Sequence, residues 1–285
     1  SVIVGDGDET ISGEMIVRVP RNEAAEVRQS AELLGRAALT EGSRAQLPFA
    51  VPETLGMTRA GDSRAVVVTL LPGTTFEVGD LAEDALLLQP LAEAIAAIHE
   101  LPTTVAQQGG LPVRTARDLR VLTTRLIDRA TATRLVPQSV QRRWTRIVES
   151  AELWDFAPTI VHGSLDADQI LVEDDRVTGV IGWSELSVGD PASDLAWLLG
   201  ADAQVLDSVL ARYARHRGSA SLSSLRARAV LYHELEVARW LLHGTESHDQ
   251  SIIDDAVGML DRLVDVSPDT PVSLRPAALG EEEVE

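Results

Sequence analysis

Two short apolar runs, 169–173 (QILVE) and 176–182 (RVTGVIG), meet at Asp174-Asp175 inside a stretch that otherwise reads as helix. Aspartate favours turn positions, so the segment is a β-hairpin set within a helical body. The runs are too short to stand alone in water, and the surrounding chain has to carry them. Directly before them comes 161–168 (VHGSLDAD), a turn of small and acidic residues behind a histidine. The whole of 161–185 has the layout of an active-site loop, yet its carboxylates sit beside the places where chemistry wants them.

Upstream the texture differs. VIV at 2–4, GDGDETISG at 5–13 and MIVRV at 15–19 read as two strands around a glycine-rich turn. Residues 22–39 are alanine-rich and helical, with Val27, Leu33 and Leu34 on one side. Pro48 and Pro52 bracket LPFAVP, and 65–71 (AVVVTLL) is a β-branched strand ended by Pro72-Gly73. Residues 1–75 therefore make a small sheet with one helix. From 76 to 266 the chain is mostly helical, with candidates at 91–102, 116–130, 138–153, 191–199, 203–216, 222–243 and 251–266. Leu231, Leu235, Ala238 and Leu242 form a core stripe on one of these, while Tyr232, Glu236 and Trp240 are candidates to line a pocket. Residues 267–285, rich in Pro and Glu, read as a disordered tail.

Composition removes several chemistries. The chain has 285 residues and 45% hydrophobic content, enough for one large or two small packed units. It has no cysteine, which excludes disulfides, thiolate catalysis and cysteine-bound metal. All 25 basic residues are arginine, so no lysine is present to form a Schiff base or hold a phosphate. A net charge of −19 repels nucleic acid and anionic membranes. No apolar run approaches a membrane span and no signal-peptide pattern opens the chain, so a cytoplasmic protein is expected.

HGSLDADQ at 162–169, IGW at 181–183 and GDPASD at 189–194 follow one another in a fixed order. VRVPR at 17–21 and LPFAVP at 47–52 precede them. Together they resemble the aminoglycoside and macrolide phosphotransferase family, and most closely the macrolide phosphotransferases. There the corresponding text is H-G-D-L-x-x-x-N (or His last), I-D-W and G-D-P-x-x-D. The resemblance runs from the first residue to about Val266. It implies an α+β, protein-kinase-like, two-lobed fold: an N-lobe over 1–75 and a helical C-lobe over 76–266, with the catalytic-loop region at 161–195. It also implies a strand and nucleotide-covering loop before Val2, which this sequence does not contain.

The same resemblance assigns roles. Arg18 takes the phosphate-cradling basic position and Glu32 its helix partner, a sound pairing because guanidinium forks onto carboxylate. His162 braces the loop, Asp194 anchors it from the next helix, and Gly189, Asp190 and Pro191 match the segment after the metal site. His99, in AIHELP, matches a helix end and is read as structural. ATP or GTP with Mg²⁺, and a small-molecule hydroxyl as acceptor, are the implied cofactors and partner.

Three positions depart from the pattern. Ser164 stands where the family has its catalytic aspartate, Gln169 where it has a metal-binding Asn or His, and Gly182 where it has the main Mg²⁺ aspartate. A hydroxyl is a poor base, and hard cations need oxygen ligands. Losing a general base costs about 10²–10⁴ in rate, and losing charge neutralisation is graver for phosphoryl transfer. Compensation is open: Asp166, with Asp168 beside it in the same loop, in place of the base, and Glu185 and the Gln169 amide oxygen as metal ligands. The competing reading is a pseudokinase that binds a nucleotide, a small ligand or a protein partner without turnover.

Overall fold

The computed structural model describes residues 2–6, 14–61, 63–202, 204–217 and 222–264. Most of the 5–13 turn and all of the 267–285 tail lie outside them. In chain order the strands are β1 (Val2–Asp6), β2 (Glu14–Arg18), β3 (Thr54–Ala60), β4 (Ser63–Thr69), β5 (Thr159–Val161), β6 (Ile170–Glu173), β7 (Arg176–Val180) and β8 (Ser187–Gly189). The α-helices are α1 (Glu23–Ala38), α2 (Glu41–Arg44), α3 (Leu88–Glu100), α4 (Thr104–Gln108), α5 (Ala116–Ala132), α6 (Gln138–Glu149), α7 (Val205–Arg217), α8 (Leu222–Ser247) and α9 (Gln250–Val264).

β1 to β4 form one antiparallel sheet in the order β1-β2-β4-β3. Its packed side is supplied by β4, where Ala65, Val66 and Val68 are buried. β3 was not foreseen, because TLGMTRA is half polar, carries Gly56 and sits at the sheet edge with a register shift between Thr54 and Gly56. Arg18, opposite Val66 in the register, brings a guanidinium to the end of β2.

α1 starts where the sequence says it should, with the Asn22 side chain accepting from Ala25 N–H at 2.8 Å. Its inner face is a correction to the sequence reading. Val27 and Leu34 are 65% and 59% exposed, whereas Glu32, Gly35, Arg36 and Ala38 are buried. Close approach sets this face: a Cβ at Gly35 would lie 1.9 Å from the carbonyl oxygen of Trp183. The helix therefore rests with its backbone against the segment that follows β7.

The helical body has one continuous core. Leu88, Leu91, Ile95 and Ile98 of α3 join it to Trp144 of α6 and to Met259 and Leu260 of α9. α8 runs through the middle, and Leu231, Leu235, Ala238 and Leu242 are buried as the stripe predicted. Glu234, on the same helix, is buried but not unpaired: Trp144 Nε1 and Arg143 Nε donate to its Oε2 at 2.6 and 3.1 Å. Burial pushes its carboxyl up, against the pull of Arg143.

β6 and β7 pair as the hairpin read from the sequence, with Ile170 opposite Val180 and Glu173 opposite Arg176. Asp174 and Asp175 both have positive φ (49° and 57°), as a two-residue type I′ turn requires. Crossing segments carry the hairpin. Ala50 N–H donates to Thr178 O at 3.0 Å, and Val180 N–H to Ala50 O at 3.1 Å. On the other strand Thr74 and Val172 exchange both backbone bonds, at 3.0 and 2.9 Å. LPFAVP and the segment after Pro72-Gly73 thus fasten the hairpin, and the loop before it, to the rest of the molecule. β5 and β8, three residues each, close a second small ladder around the same loop.

Candidate active site

The loop 161–168 is held from below by a buried carboxylate. Asp194, in the 3₁₀ helix Ser193–Gly200, accepts from His162 N–H at 2.7 Å (Oδ2) and from Gly163 N–H at 2.8 Å (Oδ1). His99 Nε2 lies 3.2 Å from the same Oδ2, and His99 Nδ1 meets the Tyr213 hydroxyl at 2.8 Å. Burial works to raise the Asp194 carboxyl. The His99 hydrogen bond, the neighbouring His99 and His162, and Gly163 N–H outweigh it and hold Asp194 below the ordinary carboxylate value. Burial also pushes the Tyr213 phenol up to about 12. His99 is therefore a structural link between α3, α7 and the loop, as the sequence suggested.

His162 itself does no proton chemistry in this geometry. Its Nε2 faces the carbonyl oxygen of Ile181 at 2.9 Å, and a carbonyl only accepts, so Nε2 carries the proton. Nδ1 is buried without a partner. Burial holds the imidazole below its usual pKa, despite the opposing pull of Asp194. The ring stands edge-on to Trp183, 4.7 Å between centroids. This is a neutral brace.

A second buried acid fixes the far end of the region. Asp190 Oδ2 accepts from Arg228 Nε at 2.7 Å and from the Tyr232 hydroxyl at 3.1 Å, while Oδ1 accepts from Ala192 N–H at 3.0 Å. Arg228 also donates to Leu153 O at 2.6 Å and lies 4.0 Å over the Phe156 ring. Sequence reasoning missed Arg228. The available signal was its spacing of four from Tyr232, which puts both on one helix face.

Between β2 and α1 the predicted ion pair forms. Arg18 Nη1 lies 3.1 and 3.0 Å from the two Glu32 oxygens, and buried Arg36 adds a contact to Oε1 at 3.3 Å. Glu32 and Asp168 both pull on the His162 imidazole, so the ion pair and the loop acids surround one histidine.

The departing positions lie at the solvent edge. Ser164, Asp166 and Asp168 are exposed. The Asp166 side chain accepts from Ala167 N–H at 2.6 Å. Gly182 adopts a left-handed conformation, φ 81° and ψ 34°, in the region that favours glycine. A Cβ there would lie 1.7 Å from Gln169 Oε1, so the Gln169 amide fills the space of a side chain at 182. The amide nitrogen donates to Asp168 Oδ1 at 2.9 Å. Glu185 is exposed and stands by the cavity described next.

That cavity, about 870 Å³, is lined on the loop side by Ser164, Asp166 and Glu185. Across it stand Leu122 of α5 and Glu236 and Trp240 of α8. The three helix residues named from the sequence, Tyr232, Glu236 and Trp240, all reach it. The Glu236 side chain is exposed, though it stands in a concave wall. Burial there raises its carboxyl against the ion pair with Arg239, and Asp166 adds to the rise. Arg18, Glu32, Gln169 and Gly182 are not among the lining residues, so the cavity is separate from the Arg18–Glu32 pair.

The donor set does not suit a resident divalent cation. Among the described residues no group of three or more His, Cys, Asp or Glu could hold a metal. Position 182 offers no side-chain oxygen, and what Gln169 offers is a neutral amide. Mg²⁺ needs hard oxygen ligands in near-octahedral array, usually with one or two carboxylates.

Comparison with known proteins agrees with this architecture. The chain is similar to macrolide 2'-phosphotransferase MphH from Brachybacterium faecium, with 22% identity, 92% of each chain covered and a TM-score of 0.72. It is similar too to aminoglycoside 2'-phosphotransferase-IIIa in its GDP complex, at 20% identity, 92% and 91% coverage and a TM-score of 0.72. These likenesses establish the kinase-like α+β fold. Among curated proteins, the uncharacterized protein YcbJ of Bacillus subtilis strain 168 is 27% identical over 192 residues. That match spans 63% of this chain and 60% of the relative, less than two thirds of its length. No helix among the described residues is long and apolar enough to cross a membrane. The model of the phosphotransferase enzyme family matches residues 2–234, and the chain belongs to that family.

Proposed function

We propose that this chain binds a nucleotide at the Arg18–Glu32 corner and a small molecule in the 870 Å³ cavity, while transferring phosphoryl groups very slowly or not at all. The carrying observation is the state of position 182: a left-handed glycine whose side-chain space is taken by the Gln169 amide. Phosphoryl transfer depends on metal neutralisation of the phosphates and on an oriented acceptor hydroxyl. Ser164 and Gly182 remove the acids that serve both needs. The two losses belong to one machine and do not simply add.

The cavity supports a small-molecule ligand of mixed character. Leu122 is 46% exposed on its wall, and Asp166, Glu185 and Glu236 supply acid at its rim. A second reading, slow turnover with Asp166 as base, is favoured by one observation: Asp166 lines the same cavity as Ser164.

Incubation with Mg²⁺, labelled ATP or GTP and a panel of macrolides and aminoglycosides tests both. The expected outcome is no phosphorylated product, with ligand-dependent thermal stabilisation following mass action. Product that disappears in Asp166→Ala supports the second reading. Product that persists in that variant overturns both.

A further inference from the structure

The mismatch between the phosphate corner and a divalent cation has a positive side. We infer that the Gln169 carboxamide takes the cation's place there, so that a nucleotide is held without metal. This rests on the nucleotide reading above.

Three features of the corner carry it. The amide is set against Gly182 by geometry: Oε1 would be 1.7 Å from any Cβ at 182. Its backbone is fixed on both sides, with Gln169 N–H donating to Asp166 O at 3.0 Å and Ile181 N–H to Gln169 O at 2.9 Å. Its nitrogen carries two hydrogens, and Asp168 Oδ1 takes one at 2.9 Å. The second is a donor for a phosphate oxygen.

Charge points the same way. With carboxylates at 164 and 182, a bare polyphosphate is repelled and a cation becomes obligatory. Ser164 and Gly182 lift that repulsion at both positions. The remaining positive charge comes from Arg18, positioned by Glu32 at 3.0 Å. Arg18 is tied through Glu32 to α1, whose Gly35 abuts Trp183 next to Gly182, so guanidinium and amide belong to one corner. Both must outweigh the Asp168 carboxylate there to hold phosphate oxygens.

Gln169→Glu tests this with little change of shape. ADP and GDP affinities are measured by calorimetry in EDTA and in Mg²⁺, beside the unfolding midpoint of the free protein. Wild type is expected to bind equally with and without Mg²⁺, to within about twofold. Gln169→Glu is expected to keep its midpoint, weaken by roughly tenfold or more in EDTA, and recover in Mg²⁺. A wild type that needs Mg²⁺, or a variant that binds as wild type does in EDTA, overturns the inference while leaving the proposed function intact. Turnover by wild type that persists in Asp166→Ala sinks the proposed function instead. A wild type that binds neither nucleotide removes the nucleotide reading and this inference together.

Discussion

The loop 161–168 has two sides of opposite character. Its buried side is over-determined: Asp194 takes two backbone N–H groups and His99, and Asp190 takes Arg228, Tyr232 and Ala192 N–H. Its exposed side runs from Ser164 to Gln169, where the Asp166 carboxylate accepts from Ala167 N–H and the Gln169 amide donates to Asp168. Buried acids are kept by stability, since each leaves uncompensated partners if lost. Exposed acids are kept only by chemistry. On the proposed reading, a chain freed from the reaction keeps the first set and no longer needs an acid at 164 or 182.

The largest test of this contrast is Arg228→Ala. It strands the Asp190 carboxylate in the interior, and breaking one partner of a buried pair costs about 3–5 kcal/mol. Chemical denaturation should show that loss; a change under about 1 kcal/mol would place the pair outside the load of the fold.

A smaller effect concerns acid. Burial, first among the causes, holds the folded His162 imidazole below the ordinary histidine pKa. The unfolded chain therefore takes up a proton that the folded chain refuses. Stability from this group is complete above the unfolded value of 6.5 and is lost as the pH falls toward the folded one. The slope is about 1.4 kcal/mol per pH unit for one proton. Denaturation midpoints between pH 7 and pH 5 should fall, and His162→Asn should flatten the dependence. An unchanged slope in that variant assigns the acid sensitivity elsewhere.

The smallest effect belongs to the exposed side. Ser164→Ala should move stability by no more than about 0.5 kcal/mol, as surface changes do, and Asp166→Ala, which removes the cap on Ala167 N–H, by about 1 kcal/mol. A larger loss makes those residues part of the scaffold and erases the contrast.

The sequence showed the scaffold better than the edge. The 22–39 helix was legible from composition, the Asp174-Asp175 turn from its chemistry, and the Arg18–Glu32 pair from the family's order of motifs. The buried face of α1 was not. Val27 and Leu34 suggest an apolar stripe, but the contact of Gly35 with Trp183 turns them outward. β5 and β8 are too short to show a period. The meeting of Gln169 with Gly182 depends on one backbone angle and on a ladder bond between 181 and 169, neither of which a residue pattern displays. Arg228 finds Asp190 only because α8 crosses the body to reach it.

Gly35 has one further implication. With only a hydrogen between α1 and the Trp183 carbonyl, the two move as meshed gears. Any rotation of the helix that parts Glu32 from Arg18 drags Trp183, whose ring bears on both His162 and Phe49. The upper and lower halves of the cleft therefore share one hard point of contact.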